Sequence, residues 1–425
     1  MVSPHPTYSP RGTPISVLNR CRALSALGHQ VDLVTYGIGE DVAVPGLRYL
    51  RAPVPAIRAV KVGPSLAKVP LDLAVFARTA AVLARSRRSY DVLHTHEEAG
   101  VLGSWSRRAT GLPHVYDMGN DLSVVMTNYG YSRKHLATRM ASRIEGGVVS
   151  RADVVIAHFT AIAKRVCEIT GDPRRAVVVP NVAVEPEADP RITAALRAQW
   201  SYDGMPIALY TGTLERYQGL DLIVDAVRDL AQGGTPARLV VVGGQPEQQS
   251  ALRTQADALQ LGNRVRVAGT LPPHVIPSAL QAADVLVSPR AAGSNTPLKV
   301  FSYMASGRPI LATKIHSHTQ ILDATTAVLV DPEPAALAAG LAQLLADPAA
   351  AAAMGRRARE LAEASYGFAE YIRAVAEAYS RVGGDSLGGT EVDSAVANLR
   401  AQLSMSDGGP SRGLAGIEPD GVSAV

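Results

Sequence analysis

Short apolar runs alternate along the chain with longer stretches whose apolar residues recur every three or four positions. The runs Gln30–Tyr36, Asp91–His94, His114–Asp117, Val154–Ala157 and Ala176–Val179 read as buried parallel strands. Ile15–Leu27 and Leu71–Arg87 read as helices between them. A second set follows: strands at Ile207–Tyr210, Arg238–Val242, Arg264–Val267, Val285–Ser288, Ile310–Ala312 and Ala327–Val330, with helices at Asp221–Leu230, Gln248–Leu259, Leu298–Ser306 and Pro334–Leu345. Two such sets predict an α/β protein of two doubly wound domains. The Pro- and Glu-rich stretch Pro180–Pro190 is the expected linker. The opening is irregular. Met1-Val2-Ser3 runs straight into Pro4, His5 and Pro6, so the first strand of the first sheet is expected to be clipped or missing, or to begin upstream. After Val382 the chain turns rich in Gly, Ser, Asp and Pro. Residues 383–425 read as a disordered tail in which Val392–Leu403 forms at most one weak helix.

With 425 residues, 47% of them hydrophobic and 19% charged, the chain has enough apolar material for two large cores. Its two cysteines, Cys21 and Cys167, have neither metal-ligand spacing nor a disulfide partner pattern, which suits a reducing, cytoplasmic setting. The first residues do not read as a signal peptide, and no apolar stretch reaches the roughly 18 residues of a membrane span. Residues 1–189 carry 23 Lys/Arg against 16 Asp/Glu, and the remainder 19 against 22. The basic half either faces an anionic acceptor or lipid, or simply solvates its helices. Arg58–Arg88 is the sharpest case: Leu71, Val75 and Leu83 fall on helical spacing among basic residues. That pattern fits a peripheral helix on the inner membrane face or a core helix with solvated arginines. Nucleic acid is not an expected partner, because aromatics make up only 5% and interleave with no basic run.

Ligands of doubly wound sheets sit at the carboxyl ends of strands. Gly12, ahead of Thr13 as N-cap and Pro14 as first helical residue, would let a helix start approach an anion. His96 and Glu97 follow a strand, and Asp117 ends another. A zinc site needs three or four suitably spaced ligands, and none is visible, so no metal is expected. The loop Gly212-Thr213-Leu214-Glu215-Arg216-Tyr217-Gln218-Gly219 follows a strand, as do Gly243 and Gly244. The richest stretch is Ser288-Pro289-Arg290 followed by Ser294-Asn295-Thr296-Pro297-Leu298-Lys299. Thr296 is placed to cap a helix that ends at Gly307, and Lys299 adds a charge in its first turn, as a diphosphate cradle requires.

These segments together resemble the family 4 glycosyltransferases of the GT-B fold, two Rossmann-like domains facing across a cleft. The resemblance runs from the first residues to about Val382. Leu27-Gly28-His29-Gln30-Val31 is similar to the family's entry into its second strand. Asp91-Val92-Leu93-His94-Thr95-His96 is similar to its histidine-bearing strand. Gly212-Thr213-Leu214 through Gly219-Leu220-Asp221 resembles its first C-domain loop. The most specific match is Asn295-Thr296-Pro297-Leu298-Lys299 with Tyr303-Met304-Ala305-Ser306-Gly307-Arg308-Pro309. The resemblance implies an acceptor-side domain at 1–183, completed by a helix at 366–382 that crosses back, and a nucleotide-sugar domain at 184–365. It also implies transfer with retention, no metal and no cofactor beyond the donor. Acceptors in the family are carbohydrates, lipid-linked sugars or small molecules. The chain differs where the family usually carries two glutamates, now Ser294 and Ser302, and an Arg/Lys phosphate clamp, now Thr213 and Gln218. The usual cleft histidine is Gly119. Arg216 and Lys299 are the expected replacements for the clamp. An epimerase on the same fold, or a binding protein without catalysis, are the alternative readings.

Overall fold

The structure, a computed structural model, describes residues 1–8, 12–53, 68–122, 135–182, 187–293, 295–383 and 389–406. The chain divides into two compact units. The first holds Met1–Val182 and Tyr366–Gln402, and the second is built on Ala183–Ser365.

In the first unit, strands β1 (Val31–Thr35) and β2 (Leu47–Arg51) pair in parallel. So do β3 (Leu93–His96), β4 (His114–Met118), β5 (Val154–Ala157) and β6 (Ala176–Val178), in that spatial order. Met1–Ser3 joins the two ladders. Val2 bridges Val34 on one side and Thr95 on the other. Its N–H donates to the His94 carbonyl at 2.8 Å, and its own carbonyl accepts from His96 N–H at 3.0 Å. The sheet therefore has a short opening stub at its centre, which completes the order β2-β1-stub-β3-β4-β5-β6, the doubly wound pattern. Strand β2 escapes the apolar-run reading because it is an edge strand whose residues are only partly buried.

The helix Val69–Ser86 settles the choice left open above. Leu71, Val75 and Leu83 are buried in the core with Val2, Val34 and Tyr36, so the face read as a membrane contact is occupied by the protein itself. Arg58 and Lys61 of that segment lie outside the described residues. Among the described residues no single helix is long and apolar enough to cross a membrane. The helix Phe368–Ser380 packs on the helix Gly12–Ala26 and on β5 and β6. Arg20 lies 5.3 Å from the centre of the Tyr371 ring, and Tyr379 Oη shares a 2.6 Å hydrogen bond with His94 Nδ1. Beyond it the helix expected at Val392–Leu403 is present and longer, so the disordered-tail reading is corrected over residues 389–406. Gly389–Ser406 is helical, and Val392, Ala395 and Leu399 are buried on one face at spacings of three and four.

The second unit holds one six-stranded parallel sheet in the order β12-β11-β10-β7-β8-β9. Its strands are β7 (Ile207–Thr211), β8 (Arg238–Val242), β9 (Val265–Gly269), β10 (Val285–Ser288), β11 (Ile310–Thr313) and β12 (Val328–Val330). Both faces of the central strands are covered, so these read as continuous apolar runs. The helices Leu220–Gln232 and Pro334–Ala346 close one face over Tyr210, Leu239, Val241 and Val287. In each unit the strand order reverses at one point: between the Met1–Ser3 stub and β3 in the first, and between β7 and β10 in the second. Crevices for ligands open beyond the carboxyl ends of such strands.

Candidate functional site

In the second unit β7 ends in Gly212 at φ 132° and β8 in Gly243 at φ 113°. A Cβ on Gly243 would collide with the Gly212 carbonyl oxygen, so these two turns press backbone to backbone. Gly219, at φ 69°, approaches the Pro289 carbonyl in the same way and docks the loop after β7 onto the loop after β10. Arg290 follows β10 and is buried. It donates to the carbonyls of Ala292 and Asn295, each at 2.8 Å, and to Asn295 Oδ1 at 3.2 Å, with its guanidinium 5.1 Å from the centre of the Tyr217 ring. It thus shapes the polar loop from inside. Thr313 Oγ1 donates to the Arg290 carbonyl at 2.6 Å. His318 Nδ1 lies 2.8 Å from the Thr313 carbonyl and Nε2 lies 2.9 Å from Ser288 Oγ. Burial pushes the His318 pKa down to about 4, so the ring is a neutral strut between two strand ends.

The helix Leu298–Ser306 starts from this loop. Its N-cap is Pro297, with no side-chain cap, and Thr296, expected to cap it, instead buries an Oγ1 that has no hydrogen-bond partner. In the first turn Lys299 Nζ donates to Gln218 Oε1 at 3.1 Å and sits 3.7 Å from the centre of the Tyr210 ring. Burial, and then the charge of Arg290, hold the Lys299 pKa well below the usual lysine value. Two neighbouring basic side chains, Lys299 and Arg290, a helix start without a side-chain cap and the glycine turns after β7 and β8 thus meet at the switch point. Such a place favours an anion with charge spread over several oxygens.

The first unit gathers a different set. Asp117, fully buried near the end of β4, receives Arg20 Nε and Nη2, both at 3.1 Å from Oδ2, and lies 2.7 Å from His158 Nε2 through Oδ1. Burial pushes its carboxyl upward, but the Arg20 charge, and then the contact and hydrogen bond with His158, overcome this and hold it well below the usual range. His94 Nε2 is 3.5 Å from the same carboxylate. His96, 2% exposed, is driven by burial to a pKa of about 4 and has no hydrogen bond on either ring nitrogen. The rings of His5 and His158 stand edge-on to it at 5.8 and 6.2 Å. Glu97 follows at φ 47°, a rare conformation for a non-glycine residue. Its Oε2 is 3.2 Å from His5 Nε2, and its Oε1 accepts from Asn120 Nδ2 at 3.2 Å.

Of the residues expected at a site, Lys299, Gln218, Gly212, Thr213, Gly243, Gly244, Asn295, Thr296, Pro297, Leu298 and Ser302 all lie in the second unit, around its switch point or in the helix beyond it. Arg216 is there too, but exposed on a one-turn helix; the cation buried beside Lys299 is Arg290. Ser294 lies outside the described residues. His96 and Asp117 belong to the polar cluster of the first unit, where His96 lies within β3 instead of in a loop after it. Gly12 is exposed at the start of its helix and Thr13 is inside that helix, not capping it. His5, His158 and Arg20 carry weight that no single motif announced, and Arg290, although it stands in the richest stretch, has no role of its own in the sequence pattern. Arg290 and His158 come just after strands β10 and β5, a position that alone marks them as candidates.

Comparison with known proteins agrees with both units. Residues 11–182 match the family described as glycosyl transferase 4-like domain, and residues 193–361 match glycosyl transferases group 1. A D-inositol 3-phosphate glycosyltransferase of Corynebacterium urealyticum is 28% identical over 399 residues, covering 87% of this chain and 90% of the relative. A 2-deoxystreptamine N-acetyl-D-glucosaminyltransferase of Streptomyces fradiae is 28% identical over 297 residues, 66% of this chain and 69% of that one. Among solved structures, sucrose-phosphate synthase from Thermosynechococcus elongatus superposes with a TM-score of 0.73 at 21% identity, over 90% of this chain and 98% of its own. The Anabaena protein HepE in complex with UDP-glucose gives 0.69 at 17%, over 89% and 98%. The chain belongs to the family 4 glycosyltransferases of GT-B fold.

Proposed function

We propose that this glycosyltransferase moves a sugar from a nucleoside diphosphate sugar to a hydroxyl of a small polyol, with retention of configuration. The observation that carries the donor half is the pairing of Lys299 with Gln218 beside Arg290 at the β7/β10 switch point. Transfer demands stabilisation of a departing diphosphate. Lys299 supplies a charge that is half-buried and therefore poorly screened, and the amides of Leu298 and Lys299 supply donors at the positive helix end. With this charge in place the diphosphate needs no metal. The leaving phosphate oxygen accepts the acceptor's proton on the face it departs from, so no protein base is required and the anomeric configuration is kept. A uridine nucleotide is the first donor to test, since a structural neighbour was solved with UDP-glucose. The acceptor class follows the relatives, whose named substrates, inositol 3-phosphate and 2-deoxystreptamine, are both cyclitols.

The test has two stages. A thermal-shift screen of UDP-, GDP-, ADP- and TDP-sugars should single out one nucleoside, because a ligand of the native state raises its stability by mass action. Incubation of that donor with cyclitol acceptors should then yield a glycoside whose anomeric proton coupling matches the donor's. An inverted product refutes retention, and a new free sugar nucleotide without acceptor points to epimerisation instead.

A further inference from the structure

We propose that His5, His96 and Glu97 of the first unit form a divalent-cation site of the zinc class, separate from any charge the donor diphosphate requires. One ligand atom from each of the three lies within 4.8 Å of the other two. Bonds of roughly 2.0–2.1 Å to a zinc ion would draw them closer by small ring rotations.

Two of the three ligands, His5 and Glu97, are already oriented in the way metal sites require. His5 Nδ1 shares a hydrogen bond with Ser3 Oγ at 3.3 Å, which leaves Nε2 turned toward Glu97. Glu97 Oε1 is held by Asn120 Nδ2, which leaves Oε2 turned toward His5. Such outer hydrogen bonds fix the tautomer of a ligating imidazole and the direction of a ligating carboxylate. His96 is the independent observation. It is 2% exposed, yet neither ring nitrogen has a hydrogen-bond partner. Its Nε2 lies 4.0 Å from Asp117 Oδ1, beyond hydrogen-bond reach. A buried imidazole without a hydrogen bond is costly, and coordination to an ion satisfies it.

The neighbouring trio His96, Asp117 and His158 also brings three donors together. It fits an ion less well, because Arg20 already holds Asp117 Oδ2 and His158 holds Oδ1. A second cation there would face a guanidinium. Glu97 is partly exposed, whereas His5 and His96 are buried. Two imidazoles and one carboxylate therefore leave a fourth position open to water or to a ligand hydroxyl, as in sites of this composition.

The test uses the full chain without an affinity tag, stripped by chelator and reloaded with Zn²⁺. Metal analysis after dialysis should find one equivalent per chain. His5→Gln and Glu97→Gln should each weaken Zn²⁺ binding at least tenfold, while the exposed control His274→Gln should not. Co²⁺ loading of the unmutated protein should give the intense visible bands of a low-coordinate protein site, a readout that survives even if a variant fails to fold. Less than a tenth of an equivalent of zinc, or a Co²⁺ spectrum of the free hydrated ion, overturns the proposal. So does undiminished binding in folded His5→Gln and Glu97→Gln proteins, which would place any ion on Asp117 and His158.

Discussion

Lys299 Nζ donates to Gln218 Oε1 across 3.1 Å, tying the helix after β10 to the turn after β7. Among the described residues Lys299 makes no ion pair with a carboxylate, and burial followed by the Arg290 charge depresses its pKa. A depressed lysine binds fewer protons folded than unfolded. Raising the pH from its folded pKa toward about 10.4 therefore stabilises the free protein. A bound diphosphate reverses the shift by favouring the ammonium. Within that window binding should take up a proton, and below the folded pKa this lysine should contribute none. Calorimetry in buffers of different ionisation enthalpy should show this uptake on the alkaline side, and Lys299→Met should abolish it. Binding heats independent of buffer would mean that the lysine does not meet the phosphates.

The glycine turns permit a steric test. Gly243 combines φ 113° with direct apposition to the Gly212 carbonyl, so Gly243→Ala has no room on either count. It should lose about 1–3 kcal/mol of stability from strain alone, and nucleotide affinity should fall with it as the two turns part. Chemical denaturation and calorimetry read the two effects. A variant as stable and as tight as the parent would show that this backbone contact is not required.

Truncation after Val382 separates the observed tail from the expected one. Removing the helix Gly389–Ser406 uncovers the surface against which Val392, Ala395 and Leu399 are buried. A buried Val or Leu side chain is worth about 1.5–3 kcal/mol before chain entropy is set against it. The truncated protein should therefore melt several degrees lower while its nucleotide affinity stays the same, because the donor-side residues belong to the other unit. An unchanged melting temperature would show that the helix adds nothing to stability.

Legibility in the sequence followed burial. Arg238–Val242 and Val285–Ser288 were readable to the residue because strands covered on both faces are unbroken apolar runs. Leu47–Arg51 was not, since an edge strand alternates with charge. The tail helix was legible only as a weak one at Val392–Leu403; its greater length and the burial of Val392, Ala395 and Leu399 were masked by Gly- and Asp-rich flanks that carry most of the compositional signal. Lys299 and Gln218 were visible as site residues through their place after strands, but their direct bond was not: they are 81 positions apart, and only the sheet order joins them. The polar cluster is harder still. His5, His96, Asp117 and His158 come from four different strand ends, and no spacing in the chain links them. Arg290 stood in plain view after β10, yet its role in pinning Ala292 and Asn295 exists only once the loop has folded back.

The most direct measurement is the affinity of the cognate nucleoside diphosphate, UDP first, for the parent protein and for Lys299→Ala, by calorimetry near neutral pH with folding checked by circular dichroism. Loss of a charge-assisted contact should cost about 1–3 kcal/mol, or roughly 5- to 150-fold in Kd. A folded Lys299→Ala protein that binds the diphosphate as tightly as the parent would contradict the assignment of the β7/β10 crevice as the donor site.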